Sequence, residues 1–258
     1  MDKKPPLFEF AFCPEFQSKL IYLSEIAEKE NWRYDNPKAS DAQKELAVLY
    51  SYIHQIFSKW QSDNKIVRHN GYAVINTGLL TTNGEDIYML FVENKNVNAD
   101  VCPYLFLTFK KRSSRDLPPS LVTLLPEPID FFENQPQESY FDTRLEMILN
   151  IDHIYDDNYH RLPKGLQELD RDTAIMLLNG AREKIMKKIK RNNRIAVPQF
   201  YNGHLQFLIP LEIMGQIVPI AVEKFENQYR ANTVLTLDMA YCNARLIMKP
   251  ESNWLMKK

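Results

Sequence analysis

Apolar residues at three- and four-residue steps (Phe16, Leu20, Leu23, Ile26 and Ala27) are flanked by Lys19, Glu25, Glu28 and Lys29, which predicts an amphipathic helix from about Pro14 to Trp32. A polar turn, YDNPKASD, follows. Asp41 is placed to cap a second helix whose wide apolar face is Leu46, Leu49, Tyr50, Ile53, Ile56, Phe57 and Trp60. From Ile66 the period shortens to two. KIVRHNGYAVINTGLL and DIYMLFVEN are β-branched, aromatic and nearly alternating, and the TTNGE between them carries the Asn-Gly pair that tight hairpins favour. CPYLFLTFKKR reads as a third strand.

Beyond it, RSSRDLPPS and LLPEPIDFFENQPQ are rich in proline and keep no period, so a long irregular connection is expected. Its Leu121, Val122, Leu124, Leu125, Ile129, Phe131 and Phe132 are too apolar for a loose tether. Tyr140 to Leu149 reads as a short helix. A longer one starts near Arg171 or Asp172, with Ala174, Leu177, Leu178, Ala181, Ile185 and Ile189 as its apolar stripe. IAVPQFY, LQFLIPLEI, VPIAVEKF and TVLTL then predict further strands, the first pair joined through Asn202-Gly203. LDMAYCNARLIM predicts a last helix that Pro250 ends.

These segments define an α+β fold in one domain, 1–258. A helical pair occupies 1–62, and a mixed or antiparallel sheet is built from 66–110 and 195–237, with helices packed on it. The two β-rich segments are expected to share one sheet or two packed sheets.

Composition narrows the function. With 258 residues and 45% apolar content the chain can bury a core without disulfides or metals. Its 32 basic and 33 acidic residues nearly cancel, so any electrostatic attraction to nucleic acid must be local. Cys13, Cys102 and Cys242 are far apart and lack CxxC spacing, which fits a reducing, cytoplasmic setting. No export signal or membrane-length apolar run is legible, and no membrane partner is expected.

Nucleotide-binding glycine motifs, histidine-rich metal spacings and GxSxG are all missing, so no metal site is expected and no cofactor can be named. Polar residues in apolar contexts remain. On a helix from Leu237, Asp238, Tyr241 and Arg245 share a face. Asp238 is the candidate general acid or base and Arg245 the candidate phosphate holder, with Asn243 on an adjacent face. The competing reading is an N-cap and ion pair that fix the helix. In VPQFYNGH, Gln199, Tyr201, Asn202 and His204 offer hydrogen bonds and a stacking face, or else a core tyrosine beside an ordinary turn. Asn76 and Thr77 interrupt a strand before Gly78, marking a bulge that either meets a ligand or satisfies itself. AREKIMKKIKRNNR sets seven basic residues against one glutamate. Lys187, Lys188, Lys190, Arg191 and Arg194, with Lys110, Lys111, Arg112 and Arg115 of KKRSSR, are candidates for phosphate contacts or a solvated face.

NTGL at 76–79, VPQFY at 197–201, LIPL at 208–211, TLDMAYCNARL at 236–246 and SNWL at 252–255, with ENWRYDN near the start, resemble the blocks of a bacterial domain-of-unknown-function family. The resemblance implies no activity. Members are sometimes joined to modules thought to bind RNA, such as LOTUS-type winged helices and cold-shock-like barrels, and this chain's length suits the bare domain. Three readings follow: first an RNA-associated or other nucleic-acid-binding domain with RNA or a nucleotide as partner, then an enzyme acting on nucleotides or RNA ends, then a structural or protein-interaction domain. The enzyme reading requires Asn76, Gln199, Asp238, Asn243 and Arg245 to converge.

Overall fold

The structure is a computed structural model that describes residues 4–35, 40–96, 102–133, 136–201 and 204–255. It is an α+β protein with two mixed sheets of five strands, and its contacts divide the chain into two compact units, Met1–Phe131 and Phe132–Lys258. Among the described residues no helix is long and apolar enough to cross a membrane.

The first unit holds helices α1 (Pro6–Phe10), α2 (Phe16–Ile26), α3 (Asp41–Glu45), α4 (Ala47–Ser62) and α5 (Pro119–Val122), and strands β1 (Ala11–Phe12), β2 (Val67–His69), β3 (Tyr72–Leu80), β4 (Asp86–Glu93) and β5 (Tyr104–Lys111). The sheet order is β1-β5-β4-β3-β2, with β1 parallel to β5 and the rest antiparallel. The Asn-Gly hairpin forms, with Gly84 at φ 76°. Helix α2 is shorter than its periodicity suggests. It ends at Ile26 because Ala27 turns extended to bridge Thr81 and the Glu28 N–H donates to the Leu80 carbonyl at 2.9 Å, so pairing to the sheet overrides local preference. The expected helix from Asp41 is split at Leu46. Ser40 rather than Asp41 caps it, in a reciprocal box with Gln43. The proline-rich connection contributes Leu117 and Leu121, with Leu125 beside them, which pack on Val74, Tyr88 and Leu90, while Val122 and Leu124 stay exposed.

The second unit holds α6 (Lys164–Gln167), α7 (Arg171–Ile189), α8 (Leu237–Arg245) and strands β6 (Glu146–Leu149), β7 (Val197–Tyr201), β8 (His204–Ile213), β9 (Gln216–Phe225) and β10 (Gln228–Val234), ordered β6-β10-β9-β8-β7. Here the helix expected over Tyr140–Leu149 is overturned. Residues 146–149 form a strand parallel to β10, with Met147 and Leu149 buried and Glu146 and Ile148 exposed. Four residues fit either period, and the waiting strand edge decides. Helix α7 buries Ala174, Leu178, Ala181, Ile185 and Ile189 against Phe207, Ile209, Leu211, Val222 and Ala231 on one face of the sheet. Helix α8 packs on β7 and β9, and its buried Ala240, Tyr241 and Ala244 stand apart from that cluster, on the opposite face.

Candidate functional site

In the first unit, Asn76 and Thr77 are fully buried at a break in the β3–β4 register. The Asn76 amide donates to an Asp86 carboxylate oxygen and to the Pro126 carbonyl, both at 3.1 Å, and its own oxygen accepts the Gly78 N–H at 2.8 Å. The Thr77 hydroxyl donates to the Ile87 carbonyl at 2.6 Å and accepts the Leu79 N–H at 3.2 Å. Their main-chain carbonyls accept from Trp60 Nε1 at 3.0 Å and the Tyr52 hydroxyl at 2.6 Å, which fastens α4 to the sheet. Every polar atom of the two side chains thus has a protein partner.

The second unit carries the other polar candidates. Thr236, not Asp238, caps α8, accepting the Met239 N–H at 3.2 Å. Asp238 lies in the first turn, half-buried, where a carboxylate suits the helix dipole. Arg245, two turns later, is only 4% exposed, and Asn243 is half-buried beside it. Gln199 is 1% exposed on β7, beneath α8's side of the sheet, and its amide donates to Gln206 Oε1 at 2.7 Å. Tyr201 ends the strand at 52% exposure. The turn residues Asn202 and Gly203 lie outside the described residues.

A groove of about 990 Å³ opens in this unit where α7 gives way to β7. Helix α7 starts because Asp170 caps it, accepting the Thr173 N–H at 2.9 Å, and it ends in a turn over Asn193–Ile195 held by the Asn192 side chain on the Arg194 N–H. The SNWL segment closes over that turn: Ser252 Oγ donates to the Arg194 carbonyl at 2.5 Å and Trp254 Nε1 to the Ile195 carbonyl at 2.9 Å. From the other side, Asn193 brackets Phe141 through both main-chain groups, at 2.6 and 3.3 Å, which sets Tyr140 at the groove with 68% of its surface exposed. Three structural fragments far apart in sequence therefore converge there.

The lining alternates charge and aromatic surface. Lys188, Arg194, Lys249, Glu212 and Glu251 line the groove together with Tyr140, Trp254, Asn192 and Asn253. Glu212 is held between Lys184 and Lys188, each at 3.1 Å, and their ammoniums keep its carboxyl below the usual range. Lys187, Lys190 and Arg191 are exposed beside the groove, at the helix end where the dipole favours cations. Of this basic run, Lys188 and Arg194 line the groove. The other one belongs to the first unit, where Lys110 pairs with Asp116, Lys111 lies 3.8 Å from Glu85, and Arg112 is exposed.

Tyr140, Lys249 and Trp254 were not legible as site residues in the sequence. Tyr140 falls in an aperiodic stretch and Lys249 is an isolated charge. The SNWL block alone drew attention to Trp254, without a role.

The protein is thus a two-sheet α+β body whose second unit carries a groove of mixed charge with aromatic rings in its lining. The chain belongs to the DUF3825 family, a domain of unknown function, whose model matches residues 23–254. No curated protein and no solved structure matches it.

Proposed function

We propose that this protein binds single-stranded nucleic acid, RNA in particular, through the groove at the end of α7. The observation that carries the reading is the shared setting of Lys188, Arg194 and Lys249 with Tyr140 and Trp254. Cations contact phosphates and exposed aromatic rings stack on bases of any identity, which is the pairing that sequence-tolerant single-strand binders use. The volume lies at the upper end of the roughly 300–1,000 Å³ that encloses a small ligand. It suits a few unpaired nucleotides rather than a duplex. The resemblance to a family whose members are sometimes joined to modules thought to bind RNA favours RNA over DNA.

The test is fluorescence anisotropy with a labelled single-stranded RNA across a salt series. Binding is expected to weaken as salt rises. Replacing both Arg194 and Lys249 by alanine should cut the affinity and lower the slope of log affinity against log salt by about one for each phosphate no longer neutralised. An absence of binding at low salt, or a double variant that binds like the parent, overturns the proposal.

A further inference from the structure

The face of the second sheet that carries α8 is not covered over its whole length. Strand registers pair Tyr201 with His204, Gln199 with Gln206, Phe225 with Gln228 and Glu223 with Arg230. Phe207, Val222 and Ala231 point into the α7 core, so their neighbours Gln206, Glu223 and Arg230 point to the other face, as do Tyr201, His204 and Phe225 by alternation. Two contacts verify the parity: the Gln199 amide reaches Gln206, and the Arg230 guanidinium lies 4.1 Å from the centre of the Phe225 ring.

This end of the sheet is open, with Tyr201 52% and Phe225 48% exposed on separate strands and His204 and Arg230 also exposed. The Arg230 stack holds the Phe225 ring in place, and a cation against one edge leaves π-surface for another planar group. One row inward, Gln199 Oε1 is buried with no hydrogen-bond partner, an unmet acceptor beside the aromatic row.

We infer that this corner, built on Tyr201, Phe225 and Arg230, is a second contact site that stacks unpaired bases of the single-stranded nucleic acid held at the groove. The assignment rests on the nucleic-acid reading of the groove and extends it. The chemistry commits to flat, π-rich rings with polar edges. Two half-exposed rings carried by strands fit bases lying on a sheet, as in the sheet-based RNA-binding modules. Glu223 stands opposite Arg230 on this face, so the corner carries no excess of cations and suits bases more than phosphates. The groove lies at the other end of the same sheet, lined by Pro210, Glu212 and Ile217. It supplies the cations and the rings of Tyr140 and Trp254, and the corner adds further stacking.

The experiment compares a single-stranded RNA oligomer with an abasic oligomer of equal length on the full chain. Parent protein should prefer the base-bearing strand by roughly tenfold for each stacked base. The Tyr201→Ala, Phe225→Ala pair should lose the corner's share of that preference, roughly tenfold for each base stacked there, and keep both the share due to Tyr140 and Trp254 and the parent's affinity for the abasic strand. A Tyr201→Leu, Phe225→Leu pair, which keeps apolar bulk on the strands, should behave the same way and guards against a folding defect. If both pairs retain the parent's preference, the corner does not stack bases and the groove reading stands. If no oligomer binds the parent at low salt, both readings fall. A parent dimer that either pair converts to monomer by sedimentation, with RNA affinity unchanged, would make the corner a self-association surface and overturn the inference.

Discussion

His54 carries an acid sensitivity that no motif announces. Both its ring nitrogens are buried without a hydrogen-bond partner, and Tyr50, Phe8 and Phe16 surround it with ring centres at 4.4, 4.8 and 5.8 Å. Burial pushes its pKa down to about 4. The folded chain therefore resists a proton that the unfolded chain accepts from about pH 6.5 downward. Stability from the neutral ring is fully present above that value and lost as pH falls toward 4. Discounted for partial exposure, the loss is on the order of 2 kcal/mol. His54→Leu removes the unmet polar atoms, so the stability gap between variant and parent, read by urea unfolding, should grow in the variant's favour from pH 7 to pH 4. A constant gap would show that the ring is not buried neutral. Gly78 is the second such residue. It holds φ at 70°, and a Cβ there would stand 2.8 Å from the Tyr52 hydroxyl. Gly78→Ala should cost about 2–4 kcal/mol from left-handed strain and from the broken bond to the Thr77 carbonyl. Tyr52→Phe in the same chain removes the obstructing oxygen, so the double variant should be less destabilised than the two single costs combined. Strict additivity in urea melts would refute the close approach.

At the scale of elements, periodicity was informative wherever an element was long. The stripe of α7, the β3–β4 hairpin and the strands from Val197 to Phe225 follow from spacing alone, whereas the strand expected at TVLTL lies earlier, at Gln228–Val234, where it pairs with β9 and β6. Short elements were not legible, because four or five residues fit two periods and a distant partner chooses. Strand β6 needs β10, and the early end of α2 needs Thr81 and Leu80. Of the site, α7's basic run was visible as composition, yet what makes it a groove is a bracket from Asn193 to Phe141 and a tail fastened to two carbonyls. Side-chain to main-chain bonds across 52 to 59 residues leave no trace in a local pattern. Asn76 shows the converse. The interruption it makes in a strand is plain in the sequence, while its full set of protein partners appears only in three dimensions.

For the whole molecule, each unit has its own sheet and its own buried residues, and each is of ordinary domain size. Strand patterning alone put 66–110 and 195–237 in one body, and cooperativity is the quantity that tests how far the two units act as one. The division predicts that Gly78→Ala will raise amide hydrogen exchange across β3 and β4 and leave β8 and β9 at parent protection. A uniform rise through both sheets would show a single cooperative body. With the total charge nearly neutral, the proposed binding of a polyanion rests on the local cations of the groove and not on the molecule at large.

The parallel pairing of β6 with β10 also sets a timetable for synthesis. Glu146 meets Gln228, 82 residues downstream, so the pairing edge of β6 has no mate until nearly the entire second unit has left the ribosome. At about 5–20 residues per second that interval lasts on the order of ten seconds. The hydrogen-bonding edge of β6 is unpaired throughout it, which opens this short strand to capture by a chaperone or by a neighbour's unpaired edge.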